Sequence, residues 1–222
     1  MIMNNISEAI IKYGMRMCED NLTTGTGGNI SVLDRRTGIM AITPGGIPYP
    51  KIRREQILQI DVESGETVAG EGVPSSEIAL HRIIYQRRTD LNALVHTHSV
   101  FATAYSCLRQ TLPAVHYLIA VAGPDVPCAG YASFGTPELA ENVFASMAER
   151  KACLMANHGL LAGGETLAEA YNIAETIEFC CRIYCHAKTF GEPQILSAEE
   201  MERMVVRFQS YGRQPEAHQY PK

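Results

Sequence analysis

Residues 74–77 read Pro74-Ser75-Ser76-Glu77 and residues 94–98 read Leu94-Val95-His96-Thr97-His98; the stretch they bound decides the fold. Between them Ile78, Leu80, Ile83 and Ile84 recur at helical spacing, which predicts a helix from Ser75 to about Arg87. Ala93 to His98 is predicted as a strand. Alternate side chains of a strand share a face, so His96 and His98 point the same way.

Toward the N-terminus, Ile10, Ile11, Gly14, Met17 and Cys18 predict an amphipathic helix from Ser7 to about Asn21. A glycine-rich turn, Thr23 to Asn29, precedes strands at Ile30–Leu33 and Ile39–Thr43, which Asp34–Gly38 joins as a hairpin. Pro44-Gly45-Gly46-Ile47-Pro48 is a tight loop, and Ile57–Val62 a further strand. Toward the C-terminus, a helix is predicted at Val100–Leu108 and strands at Val126–Ala132, Ala152–Ala156 and Leu160–Ala162. Thr136 caps a helix that starts on Pro137, a residue favoured at the first helical position. Thr166 caps the longest helix, Leu167 to Phe190, with Leu167, Ala170, Tyr171, Ala174, Ile177, Cys181 and Tyr184 inward. Ser197 and Glu200 form a capping box for a last helix, Ala198 to about Gln209.

Short strands come early, and strands then alternate with helices. No linker or repeat interrupts them. This predicts one α/β domain over residues 1–222, a three-layer α/β/α sandwich around a central mixed, largely antiparallel sheet. The polar tail 212–222 is expected to be mobile.

Hydrophobic residues make up 46% of the 222 and charged residues 19%, enough for a sizeable core and without a disorder signature. The formal net charge is −5, there is no tryptophan, and acidic residues surround the pairs Arg35-Arg36, Arg53-Arg54 and Arg87-Arg88. Nucleic-acid binding is therefore not expected, and the arginine pairs read as solvated surface. No apolar run approaches the roughly 20 residues of a membrane helix. Asn4, Asn5 and Glu8 argue against a signal peptide. The seven cysteines are odd in number and form no Cys-x-x-Cys pair; most sit in apolar contexts, as buried free thiols do, which fits a reducing cytoplasm.

The chemistry-bearing residues are few. Two histidines on one face can pack or hydrogen-bond in a core, but the pair is also how two ligands of one metal ion are presented. His158, between Asn157 and Gly159, is either a third ligand or a turn histidine satisfied by backbone. His81 lies four residues after Glu77 on the same helix face and could simply pair with it. Ser75 and Glu77 can cap and complement the helix, or the serines can bind phosphate while Glu77 faces a metal. Thr24-Gly25-Thr26-Gly27-Gly28-Asn29 is not a dinucleotide loop, since Ile30 stands where that motif needs glycine and the turn precedes a strand. It can still form an anion nest. The chain has neither a Gly-Lys-Ser/Thr phosphate loop nor a Gly-x-Ser-x-Gly elbow. Cys180, Cys181 and Cys185 read as core.

Gly25-Thr26-Gly27-Gly28-Asn29, Thr43-Pro44-Gly45-Gly46-Ile47-Pro48, Pro74-Ser75-Ser76-Glu77, His96-x-His98 and Asn157-His158-Gly159 occur in the order of the class II aldolase/adducin family. The resemblance spans nearly the whole chain. It is strongest to the branch that cleaves L-fuculose 1-phosphate, as in Pro113 to Ala120, Tyr131 to Thr136 and Phe208 to Gly212. It implies one zinc per subunit on His96, His98 and His158, with Glu77 as a displaceable fourth ligand. It implies a phosphate site from Thr26, Gly28, Asn29, Gly45, Gly46, Ser75 and Ser76, and a pocket shaped by Phe134. Cleavage through an enediolate would give dihydroxyacetone phosphate and L-lactaldehyde, with Glu77 moving the proton at carbon.

The resemblance also implies a homotetramer whose active sites lie between subunits. Tyr117 and Tyr211 would then serve an adjacent subunit. The chain departs from the branch at Gly27 and Gly45, where alanine and threonine are usual. The L-ribulose-5-phosphate 4-epimerase branch carries aspartate at the position of Glu77 and His-Ala-Asp at His116-Tyr117-Leu118. Aldolases or dehydratases for other deoxy-ketose phosphates are further alternatives. A non-enzymatic adducin-like module would lack the histidine triad, which is complete here.

Overall fold

A computed structural model describes residues 2–210. Tyr211 and the tail 212–222 lie outside the described residues. The strands are β1 (Asn29–Asp34), β2 (Ile39–Ile42), β3 (Leu58–Asp61), β4 (Thr67–Ala69), β5 (Ala93–Thr97), β6 (Cys128–Ala129), β7 (Ala152–Met155) and β8 (Gly159–Gly164). The helices are α1 (Ile2–Glu19), α2 (Ile78–Arg87), α3 (Val100–Ser106), α4 (Pro137–Met147), α5 (Leu167–Phe190) and α6 (Ala198–Ser210).

All eight strands join one sheet in the order β4-β3-β2-β1-β5-β8-β7-β6. Every pairing is antiparallel except β6 with β7, so the sheet is mixed and largely antiparallel, as expected. Strand alternation divides the core in two. Ala93 and Val95 pack with Ile10, Tyr105 and Ile177 on the side of α1, α3 and α5. Leu94 packs with Leu80, Ile84 and Val143 on the side of α2 and α4. These are the three layers.

The helix caps lie where the sequence places them. Thr136 Oγ1 accepts from the Leu139 amide, Thr166 Oγ1 from Glu169, and Ser197 Oγ from Glu200. The Glu200 carboxylate, however, turns to Arg203. Some boundaries move. α2 starts at Ile78 and not Ser75, because Ser75 Oγ takes the Glu77 amide at 3.3 Å in a tight turn ahead of the helix. The strand expected at 126–132 shrinks to Cys128–Ala129, paired only with β7 at the sheet edge. β4, exposed along its length, has no apolar pattern to announce it.

The arginine pairs are only partly solvated surface. Arg88 is 9% exposed, held by the carbonyls of Ala148 and Arg150 and by Asp90, while Arg35 binds the carbonyls of Arg88 and Leu91. A guanidinium with five donors can be buried once carbonyls satisfy it. Of the seven free cysteines, Cys153, Cys180 and Cys181 are buried, Cys18, Cys128 and Cys185 half-buried, and Cys107 exposed. Among the described residues, no helix is long and apolar enough to cross a membrane.

Candidate metal centre and phosphate pocket

One end of the sheet gathers the site. β1 begins with Asn29, opposite His96 on β5, and His96 is in turn opposite Leu161 on β8. β5 ends just before His98 and β8 starts just after His158. The antiparallel register therefore brings these residues together although His98 and His158 are far apart in sequence. The turn before β8 is tight: Asn157 has φ +55°, and the His158 amide bonds the Met155 carbonyl at 3.0 Å.

His96 is fully buried, and its Nδ1 lies 2.9 Å from the Leu160 carbonyl. A carbonyl only accepts, so Nδ1 carries a proton, and Nε2 is the nitrogen turned toward the site. That Nε2 is 2.9 Å from His98 Nε2 and 3.2 Å from Glu77 Oε2. His158 Nε2 is 3.4 Å from Glu77 Oε1. One ligand atom from each histidine lies within 4.8 Å of the other two. Donors on a tetrahedron with bonds of about 2.0–2.2 Å are separated by about 3.3–3.6 Å, so the spacing suits one ion.

Protonation states agree. Burial, reinforced by His96, pushes both His98 and His158 down to about 4 against the pull of Glu77, so both rings are neutral at pH 7. The His158 contact with Glu77 is thus not an ion pair. Burial pushes the Glu77 carboxyl up, but His96, His158, Asn29 and His81 together outweigh it and hold the group below its ordinary value. Glu77 is 5% exposed, and its Oε1 has no hydrogen-bond partner. A buried carboxylate oxygen with no hydrogen-bond partner, beside three imidazole nitrogens, is a donor set short of its cation, which a divalent metal would complete.

A cavity of about 450 Å³ opens beside this cluster. Thr26, Gly28, Asn29, Gly45, Gly46, Ser75, Ser76, Glu77 and Phe134, all expected at the site, line it together with His98 and His158. Ser75 Oγ accepts from Asn29 Nδ2 at 3.1 Å and from the Glu77 amide at 3.3 Å, so its own proton is left to donate to a bound anion. The Gly45 amide is committed to the Val73 carbonyl at 2.9 Å, so it is not a free donor for such an anion. Gly28 holds φ +70°, and a Cβ there would run into the His96 carbonyl. At Gly27, where alanine is usual in the branch resembled, a Cβ would lie 2.6 Å from His98 Nδ1, so the ring is placed differently than an alanine would allow.

Tyr131 and Asn157 also line the cavity and were not expected there. Asn157 stood next to His158, which was the available signal. Tyr117 does not reach this cavity. It is 48% exposed and lines a separate groove with Leu118, Met204 and Phe208, its ring stacked at 6.3 Å on that of Phe208. His81 does not pair its side chain with Glu77; it bonds Asn29 and Ser31.

The family model for the Class II Aldolase and Adducin N-terminal domain matches residues 8–185. A 5-deoxy-D-ribulose 1-phosphate aldolase of Bacillus thuringiensis serovar kurstaki is 46% identical over 214 residues, covering 96% of this chain and 100% of that protein. An L-fuculose phosphate aldolase of Escherichia coli K12 is 41% identical over 211 residues, covering 94% of this chain and 96% of that protein. A solved structure of an L-fuculose 1-phosphate aldolase superposes with a TM-score of 0.90 at 50% identity, covering 92% of this chain and 96% of that one.

Proposed function

The chain belongs to the class II aldolase/adducin family, and on that premise we propose that it is a zinc-dependent aldolase cleaving a deoxy-ketose 1-phosphate between C3 and C4. The observation that carries this reading is the convergence of His96, His98, His158 and the unpartnered Glu77 oxygen beside a pocket of hydroxyls and glycine backbone. L-Fuculose 1-phosphate is the first candidate substrate, giving dihydroxyacetone phosphate and L-lactaldehyde. The 46% identical relative favours a second, 5-deoxy-D-ribulose 1-phosphate, giving dihydroxyacetone phosphate and acetaldehyde. Both share the phosphorylated three-carbon end and differ only in the aldehyde.

Three imidazoles and a carboxylate are a zinc donor set, and zinc held by His96, His98 and His158 with Glu77 as displaceable fourth donor would stabilise, as a Lewis acid, the charge left when the bond breaks. Thr26, Gly28, Gly46, Ser75 and Ser76, with Gly45 shaping the loop and the Asn29 amide orienting Ser75 and Glu77, hold the phosphate and so fix the reacting carbons against the carboxylate. Asn29 restrains Glu77 Oε2 at 2.8 Å, which leaves Oε1 to move the proton at C3, delivering it in cleavage and removing it in synthesis. Phe134 closes the aldehyde side. Tyr117, exposed and outside its own subunit's cavity, acts with Tyr211 at the C4 oxygen of a substrate bound to a neighbour in a homotetramer.

The test is to incubate zinc-loaded protein with each ketose phosphate and follow dihydroxyacetone phosphate through a coupled dehydrogenase. Release from L-fuculose 1-phosphate or 5-deoxy-D-ribulose 1-phosphate is expected, and their kcat/KM ratio assigns the substrate. No release from either, with epimerisation of L-ribulose 5-phosphate instead, would refute the reading.

A further inference from the structure

Behind the site, three buried polar side chains, His81, Ser31 and Tyr85, have no part in the chemistry above. Glu77, His81 and Tyr85 follow one another at intervals of four residues and so share one face at the start of α2 and along it. Asn29 and Ser31, two apart on β1, face them. His81 is 0% exposed; its Nε2 lies 2.5 Å from Asn29 Oδ1 and its Nδ1 2.6 Å from Ser31 Oγ. Ser31 Oγ in turn lies 2.7 Å from the Tyr85 hydroxyl.

The hydrogen-bond directions are forced from the Glu77 end. A carboxylate only accepts, so Asn29 turns Nδ2 toward Glu77 Oε2 and Oδ1 toward His81. That Oδ1 also only accepts, so His81 carries a proton on Nε2. With Nε2–H given to Asn29, Nδ1 is the ring's acceptor and takes the Ser31 proton, and Ser31, its single proton spent, accepts from Tyr85. Each member has one orientation. A reversed Asn29 amide would set its carbonyl against the Glu77 carboxylate where little water can intervene.

We propose that His81, backed by Ser31 and Tyr85, is a positioning residue for Glu77: it locks the Asn29 amide so that Oε2 is tethered and Oε1 is the oxygen that works on substrate. The proposal rests on the aldolase reading of Glu77. Deuterium uptake from D2O at the hydroxymethyl carbon of dihydroxyacetone phosphate isolates the proton step from carbon–carbon cleavage. In metal-loaded protein, His81→Leu should lower this exchange and kcat by about 10- to 100-fold, the range for lost outer-shell partners, with metal content and KM within about twofold. His81→Gln, whose amide N–H can replace Nε2–H, should recover most of the loss.

On an Asn29→Ala background His81→Leu should cost nothing further, because the link to Glu77 is already gone. A purely structural role would lower the melting temperature and metal content and would multiply with Asn29→Ala. Parental exchange in folded, metal-loaded His81→Leu protein, or multiplicative losses, would overturn the proposal. If His81→Leu does not fold, Ser31→Ala carries the test: a loss of about 3- to 10-fold is expected from the unpaired ring nitrogen, and parental exchange overturns it. Absence of exchange in the unsubstituted protein would instead overturn the aldolase reading.

Discussion

Replacing Glu77 with glutamine separates its structural role from its chemical one. The glutamine carbonyl can still accept from Asn29 where Oε2 now sits at 2.8 Å, but a charged acceptor becomes a neutral one. That exchange costs about 1 kcal/mol, the difference between charge-assisted and neutral hydrogen bonds. The new NH2 group falls where Oε1 stands, 3.4 Å from the neutral His158 ring. With about 1 kcal/mol lost, the melting temperature should fall by about 2–4 °C in a chain of this size. Turnover should fall far more. Loss of a positioned acid–base group removes about 10²–10⁴-fold, or about 3–5.5 kcal/mol of barrier. The histidines remain, so most of the zinc should stay bound. The assay compares kcat, metal content by elemental analysis and melting temperature in one preparation. A kcat within about tenfold of the parent at full metal loading would remove Glu77 from the proton step.

Metal-free protein should lose stability as pH falls from about 6.5 toward 4. Unfolded histidines take protons near 6.5 while His98 and His158 resist to about 4, so the unfolded state binds more protons in that window. Glu77, held below its ordinary value, adds the same sign at lower pH; a flat melting temperature between pH 7 and 4.5 would contradict these environments. Gly28→Ala forces a side chain into φ +70° against the His96 carbonyl. Backbone strain of about 1–2 kcal/mol and overpacking of about 1–3 kcal/mol should lower the melting temperature by at least 4 °C or so, and unchanged melting would refute the contact. Tyr117→Phe should fold normally and lose turnover; co-expression with Glu77→Gln should regain activity above either variant alone, and no gain would place Tyr117 in its own subunit's site.

The elements whose identity depends on neighbouring residues were legible. The apolar periodicity of α5 and the caps at Thr136 and Thr166 are local, and the structure reproduces them. What misled was side-chain competition with the backbone: Ser75 reads as a helix cap, yet its hydroxyl holds a turn ahead of the helix, which sets Glu77 at the helix entrance. Arg88 reads as surface because its satisfying carbonyls, on Ala148 and Arg150, belong to a distant segment.

The same division holds for the site. By itself the sequence determined that His96 and His98 share a face, because strand geometry alternates side chains regardless of context. It also supplied the motifs that name the family. Only the tertiary structure decided that His158 joins them, since this depends on β8 pairing with β5 in one register out of several. Pairing of β1 with β5 likewise put Asn29 between Glu77 and His81, turning a histidine that local spacing assigns to Glu77 into one that reaches it through an amide. Such long-range register carries no local periodicity; it follows from which apolar faces the whole chain can bury together.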